Sequence, residues 1–350
     1  MVLAWQARLN SRPSFLATSN IVRVNQYNTA NRLLGQCKAP GTLKSYDSVI
    51  RKLEKFSEEH ICELNPLSLD GAANFVCYLA DSKTSLADLH KISPGLTLLH
   101  QSQGHSTEPA IHHSYVKLLI AGAKREAAKR KQRTAKATCL TKDDIHMIVG
   151  GLWPKGLGLL DESVNLITWR TTLKIYTMYK TWCRWDGYSR LTSEDVIIDD
   201  DSVTICFSHA KNDQFYCGST CTLAILGPTN LMCPALLFDS YFKVMKFQKT
   251  LPELLNCRIA NKKGIQVAKS SEKLSYTTSL ENSKALLVKF GLDGKYSEKT
   301  FKVSGVSEAF NQGISMEDAM YHGRWRSLNT PGIYCHQNKA KRMKSSLYSN

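Results

Sequence analysis

The stretch from Lys295 to Tyr334, KYSEKTFKVSGVSEAFNQGISMEDAMYHGRWRSLNTPGIY, decides how this chain is read. It opens with Lys299 and Lys302, three residues apart and so on one face of a helix that runs from Ser297 to about Asn311. Gly313 is placed to end that helix in a left-handed cap with Ile314 as its apolar follower, and Ser315 with Asp318 caps the next. The string His322-Gly323-Arg324-Trp325-Arg326-Ser327 comes after, and Tyr334 stands nine residues beyond Trp325. Asn329-Thr330-Pro331-Gly332 is expected to bend or break the helix before that tyrosine. Cations gathered at one place, followed by a phenol, suit chemistry at a phosphate.

Composition agrees with a polyanionic partner. Lysine and arginine exceed aspartate and glutamate by 46 to 30, a net charge of +16, which points to nucleic acid before an acidic membrane. The chain is 43% hydrophobic, enough for a folded core across its 350 residues and too much for a disordered protein. Eleven cysteines fall without C-x-x-C spacing, the pattern of free thiols in a reducing compartment. No run of eighteen apolar residues exists, so no membrane span is expected. The N-terminal residues lack the apolar core of a secretory signal and read as a poorly ordered tail over 1–40.

Outward from the C-terminal stretch, the chain divides in two. Tyr46, Val49, Leu53 and Phe56 form an apolar stripe on a helix from Thr42 to about Glu59. Further helices are expected over Leu69–Asp81, Asp88–His100 with a break marked by Pro94 and Gly95, and about Ile111–Arg130. This makes an all-helical domain over 41–130. The cations Lys117, Lys124, Arg125, Lys129, Arg130, Lys131, Arg133 and Lys136 lead through a basic linker at 131–138. Such a run is a solvated face, a nuclear signal or a contact to phosphates. The second domain, 139–345, is mixed: Thr141 and Asp144 cap a helix, another spans about Val164–Trp182, and Asp195–Ile198 with Val203–Phe207 read as adjacent strands. Phe215–Cys217 is read as the start of a third strand, Pro234 opens a helix reaching about Met245, and Phe247–Thr278 is an insertion or long loop.

Several strings in order resemble the tyrosine recombinase/integrase family: Arg184-Trp185-Asp186, Leu191-Thr192-Ser193-Glu194-Asp195-Val196, His209-Ala210-Lys211-Asn212-Asp213-Gln214, Leu231-Met232-Cys233-Pro234, Gly305-Val306-Ser307, then His322–Ser327 and Tyr334. The resemblance covers roughly residues 40–340 and is nearest in wording to recombinase-like proteins of eukaryotic mobile elements. It implies a mainly α fold, an all-helical core-binding domain followed by a mixed α+β catalytic domain with a small antiparallel sheet. It also implies DNA strand cleavage and rejoining through a 3′-phosphotyrosyl intermediate, with no cofactor and no metal. Double-stranded DNA held between the domains would be the partner, with self-association on it as a dimer or tetramer and no membrane. The location implied is the nucleus in a eukaryote and the cytoplasm otherwise.

Residue by residue, the resemblance makes Arg184 the first phosphate-binding arginine, Lys211 the hairpin lysine that protonates the leaving 5′-oxygen, Trp325 the indole donor and Tyr334 the nucleophile. Asp186 is a candidate to orient Arg184, since Gly187 stands where the family has an acid. His209 is either an auxiliary proton carrier or a solvated histidine. Lys44, Lys124, Arg125, Lys129, Arg130, Lys131, Arg133, Arg324 and Arg326 are the candidates for contacts to the DNA backbone. The departure lies at Lys299 and Lys302, where the family has histidine and a second arginine. Lysine keeps the charge but lacks the planar fork, so the alternatives are an active recombinase and a catalytically impaired or inactive domesticated DNA-binding protein. Two merely solvated lysines are the plainer reading of that pair.

Overall fold

The computed structural model describes residues 37–60, 66–103, 105, 107–130, 138–161, 164–208, 218–227, 229–247 and 251–334. The chain forms two compact units that divide between Thr134 and Ala135.

The first unit is helical: α1 Pro40–His60, α2 Leu69–Asp81, α3 Leu86–Leu89, α4 Ile92–Ser102 and α5 Ser114–Arg130. The stripe on α1 lies inward, with Val49, Leu53 and Phe56 packed against Phe75 and Val76 of α2 and Val116 and Ile120 of α5. The single helix expected over Asp88–His100 is two. The break falls at His90 and Lys91, before the expected Pro94–Gly95, and Ser85 caps the short α3 by accepting from the Asp88 N–H. Pro94 lies in the first turn of α4, where its missing N–H costs nothing. A one-turn 3₁₀ segment, Ala110–His112, precedes α5 and shortens the helix expected there. Lys117, Arg125, Lys129 and Arg130 lie exposed on α5, Lys124 is half-buried, and Lys44 is exposed on α1.

The second unit is organised around α7, Leu166–Thr181. The sequence reads as a helix with apolar surface, yet α7 is buried on nearly every side from Trp169 to Tyr179. Its polar residues are buried too, and each charged one finds acceptors. Arg170 donates to the Cys257 carbonyl at 2.8 Å. Lys174 donates to Glu298 Oε1 at 2.6 Å and to the carbonyl and hydroxyl of Ser279. Around α7 stand α6 Lys142–Gly150, α9 Pro234–Met245, α10 Tyr276–Lys289 and α11 Glu298–Asn311, with the single turn α8 at Trp185–Tyr188. The Thr141–Asp144 capping box forms in both directions.

Strands β1 Val196–Ile198, β2 Ser202–Phe207 and β3 Ser219–Ala224 make an antiparallel sheet in that order, with Val203, Ile205 and Phe207 alternating inward. The expected strand start at Phe215–Cys217 lies outside the described residues. Phe247–Thr278 is not a long loop. It contains a second antiparallel pair, β4 Cys257–Lys262 and β5 Ile265–Lys273, joined at Lys263 and Gly264. Both turn residues have positive φ, 53° and 81°, as a two-residue hairpin of the favoured twist requires. Its lysines and serines masked the alternation that would have marked the strands. Among the described residues no helix is long and apolar enough to cross a membrane.

Helix α11 approaches α7 closely enough that a Cβ on Gly305 would collide with the Tyr179 carbonyl. The cap after α11 forms as expected: Gly313 has φ 98° and the Ile314 N–H reaches the Ala309 carbonyl at 3.1 Å. After α12, Met316–His322, the segment expected to break is helical, α13 Asn329–Tyr334. Pro331 is the third residue of α13 and again occupies a first turn, where the helix needs no N–H from it.

Burial of an ion pair has a testable energetic signature. Lys174→Met alone strands the Glu298 carboxylate, which is 2% exposed, and is expected to cost about 3–5 kcal/mol in urea unfolding of the full chain. Lys174→Met with Glu298→Leu removes both charges and is expected to recover most of that loss.

Candidate active site

The site is assembled where α7 ends. Trp182 takes a left-handed conformation at the C-cap, φ 53°, which turns the chain so that Arg184 becomes the N-cap residue of α8. From there the Arg184 guanidinium reaches across the unit and donates from Nη2 to Tyr334 Oη at 3.1 Å. The two residues are 150 positions apart in sequence.

Tyr334 is held by a ladder of rings. Trp182 stacks on Trp325, with centroids 5.8 Å apart, and Trp325 stacks on Tyr334 at 5.5 Å and 14°. His322 closes the far end, edge-on to Trp182 at 4.4 Å, and its Nε2–H donates to the Lys180 carbonyl at 2.7 Å. Burial is the main cause that lowers the His322 pKa. Gly323 is required here, because a Cβ at that position would strike the Trp325 ring. Trp325 is 6% exposed, and its indole N–H has no acceptor among the described residues.

The cations divide by role. Lys299 is exposed, with Nζ 5.2 Å from the Tyr334 ring centroid. Lys302 is only 4% exposed, with Nζ 4.6 Å from the Trp325 centroid and 4.9 Å from that of Tyr334. The pair is therefore not two solvated lysines. Burial first, and then the positive charge of Arg184, push Lys302 down to about 7; Cys183 opposes this slightly, while Arg324 and Lys299 add to it. Arg324, expected to contact DNA, turns inward. It has φ 54°, donates to the Thr181 carbonyl at 2.8 Å and the His322 carbonyl at 3.2 Å, and lies 4.4 Å over the Phe207 ring. Its guanidinium ties the Trp325 turn to α7 and the three-stranded sheet. Arg326 is exposed.

Asp186 does not orient Arg184. Its carboxylate lies 3.5 Å from Arg190, four residues on. Lys211, His209, Lys131 and Arg133 lie outside the described residues. Among the described residues no three His, Cys, Asp or Glu side chains cluster as a metal site. Sequence reasoning missed Trp182, read only as a helix end, and Lys174 with Glu298, which anchor the start of α11 and so the positions of Lys299 and Lys302. A tryptophan two residues before the singled-out Arg184 was the available signal for the first. A lysine inside an otherwise apolar helix was the signal for the second.

In sequence the chain matches no family model and no curated protein. In structure it is similar to the XerH site-specific recombinase bound to a palindromic difH substrate in a post-cleavage complex. The TM-score is 0.61 at 14% identity, over 99% of this chain and 93% of that one. The XerH pre-cleavage complex gives 0.55 at 15% identity, over 99% and 95%. The Tn1549 transposon integrase in complex with transposon right-end DNA gives 0.50 at 10%, over 88% and 98%. The fold is that of the tyrosine recombinases and integrases.

Lys302 makes a prediction with a definite sign. An ordinary lysine titrates near 10.5, whereas in the folded chain this one does so at about 7. Between those values the unfolded state holds one more proton, so Lys302 opposes folding most below pH 7 and progressively less above it. Lys302→Met is expected to be the more stable protein at pH 6, by about 1–4 kcal/mol. Thermal melts from pH 6 to 9.5 should show that advantage shrink with rising pH; a constant gap would contradict a buried, depressed amine.

Proposed function

We propose that this chain is a tyrosine recombinase-type DNA strand transferase, and that lysine in the second arginine position makes its cleavage step slow. The observation that carries the reading is the Arg184–Tyr334 hydrogen bond at 3.1 Å, made beside Lys299 and Lys302 and backed by the Trp325 ring. A phenol is a weak nucleophile and must be held in position. Stacking on Trp325 and donation from Arg184 leave Tyr334 little freedom. A pentavalent phosphorane gains negative charge on its nonbridging oxygens, and fixed donors aimed at them lower the barrier. Arg184, Lys299, a protonated Lys302 and the indole N–H of Trp325, which has no acceptor among the described residues, are the groups available to meet that charge.

In the proposed step Tyr334 Oη bonds to phosphorus and gives up its proton to water. The bond from phosphorus to the 5′-oxygen breaks, and that oxygen leaves as a hydroxyl after gaining a proton, for which the resemblance assigns Lys211. Attack by a 5′-hydroxyl on the phosphotyrosine reverses the step and rejoins the strand. Binding at the exposed cations of α5, at Lys44 and at Arg326 would hold the duplex, and self-association on it would follow the resemblance. The depressed Lys302 favours a second reading, a DNA-binding descendant that no longer cuts, because a neutral amine cannot clamp the phosphorane.

A suicide duplex separates the two readings. The first expects a covalent protein–DNA adduct, abolished by Tyr334→Phe; specific binding without adduct would leave the second. Lys302→Arg is expected to raise the rate of adduct formation by about two to three decades, the worth of one transition-state donor of roughly 3–4 kcal/mol. With Lys302 the second-order rate of adduct formation, measured with DNA well below saturation, should fall as pH rises above about 7 and the clamp of the free protein loses its proton. Lys302→Arg should be flat over the same range. A wild-type rate that climbs through this window would count against a protonated Lys302 at the phosphate.

A further inference from the structure

The β4–β5 hairpin carries Arg258, Lys262, Lys263, Lys269 and Lys273 against a single acid, Glu272. The register places Arg258 opposite Lys269, Ala260 opposite Val267 and Lys262 opposite Ile265, so these six share one face. The other face holds the hairpin down: Ile259 and Ala268 pack on the core, and Gln266 Oε1 accepts from the Leu166 N–H at 2.7 Å where α7 begins. The first face is therefore outward. Ile265 is 69% exposed and Val267 37%, between cations at both ends. Arg258 and Lys269, like charges directly opposite, oppose the pairing, and Glu272 at 3.0 Å from Arg258 relieves one of them.

A ribbon that only guarded its edges would need the lysines but not two exposed β-branched residues between them. Positive ends with an apolar centre match a surface that offers phosphates on either side of sugars and base edges. The ribbon's paired length, Arg258–Lys262, is about 17 Å, and two strands fit a major groove about 12 Å wide. At its base Lys273 Nζ lies 5.4 Å from the Trp185 ring, and Trp185 follows Arg184 directly. The hairpin thus rises from the same turn that presents Arg184.

We infer that the outward face of β4–β5 is a second duplex-DNA contact, distinct from the phosphate at Tyr334, which grips DNA flanking the cleavage position through Lys262, Lys263, Lys269 and Arg258. This rests on the recombinase reading. The ligand is double-stranded DNA, recognised through its phosphates and held without chemistry.

The test is the salt dependence of duplex binding by the full chain. The triple variant Lys262→Gln, Lys263→Asn, Lys269→Gln removes three charges, and asparagine tolerates the left-handed turn position. The slope of log affinity against log salt is expected to become less negative by about 2.7, with affinity down about a hundredfold near 0.15 M salt. Its melting temperature should not fall below the wild type's, since all three residues lie off the core and Lys269→Gln removes the like-charge pairing with Arg258. An unaltered slope in a folded variant overturns the inference while leaving the recombinase reading intact. So does an unaltered slope accompanied by weaker binding to vesicles of acidic phospholipid, which would make the face a membrane contact. Wild-type protein with no salt-dependent duplex binding fails the recombinase reading itself, and the hairpin contact falls with it.

Discussion

Lys174 is an ammonium sealed inside the second unit, 1% exposed, on a helix whose other residues are nearly all buried. Burying it is costly unless it is fully paired. It is paired by residues from two other helices: Ser279 of α10 and Glu298 at the first position of α11. The three helices are thereby fixed at one depth, and the start of α11 cannot slide along α7 without breaking the pair. Gly305, two turns further along α11, permits the close approach to the Tyr179 carbonyl that the pair demands. Lys299 and Lys302 follow Glu298 by one and four residues, so their positions at the site are consequences of a salt bridge that touches no reacting atom.

On that frame the site is made of rings as much as charges. Trp182, Trp325 and Tyr334 stack in sequence, and Arg184 meets the phenol oxygen from the side. Aromatic faces suit cations, but they also keep water away, and that is what depresses Lys302. An arginine there would keep its charge at any working pH. Lysine puts the charge of the site under the control of burial and of whatever anion enters. Arg324 shows the opposite use of a cation: its donors are spent on the Thr181 and His322 carbonyls, and it holds the Trp325 turn in place.

Much of the local architecture was legible. The Thr141–Asp144 box, the Gly313 cap, the Ser315–Asp318 start and the stripe of α1 depend on residues within a turn or two of one another, and each is a short-range pattern with a physical cause. The set Arg184, Lys299, Lys302, Trp325 and Tyr334 was picked out by the resemblance to the tyrosine recombinase/integrase family, not by any local pattern. Proline misled twice, at Pro94 and Pro331, because the residue alone does not say whether a helix has just begun. The β4–β5 hairpin was missed because its strands are edge strands rich in lysine and serine, and their pairing is apparent only with both in place.

By itself, then, the sequence determined most of the helical segments, the adjacent strands at Asp195–Ile198 and Val203–Phe207 and which chemical groups occur in which order, since these follow from spacing along the chain. Tertiary structure alone decided which charges are usable. That Lys302 is desolvated, that Arg324 faces inward, that Asp186 serves Arg190 rather than Arg184 and that Tyr334 meets Arg184 all depend on residues brought together from distant positions. Burial and electrostatic environment are properties of the packed unit, and no local spacing encodes them.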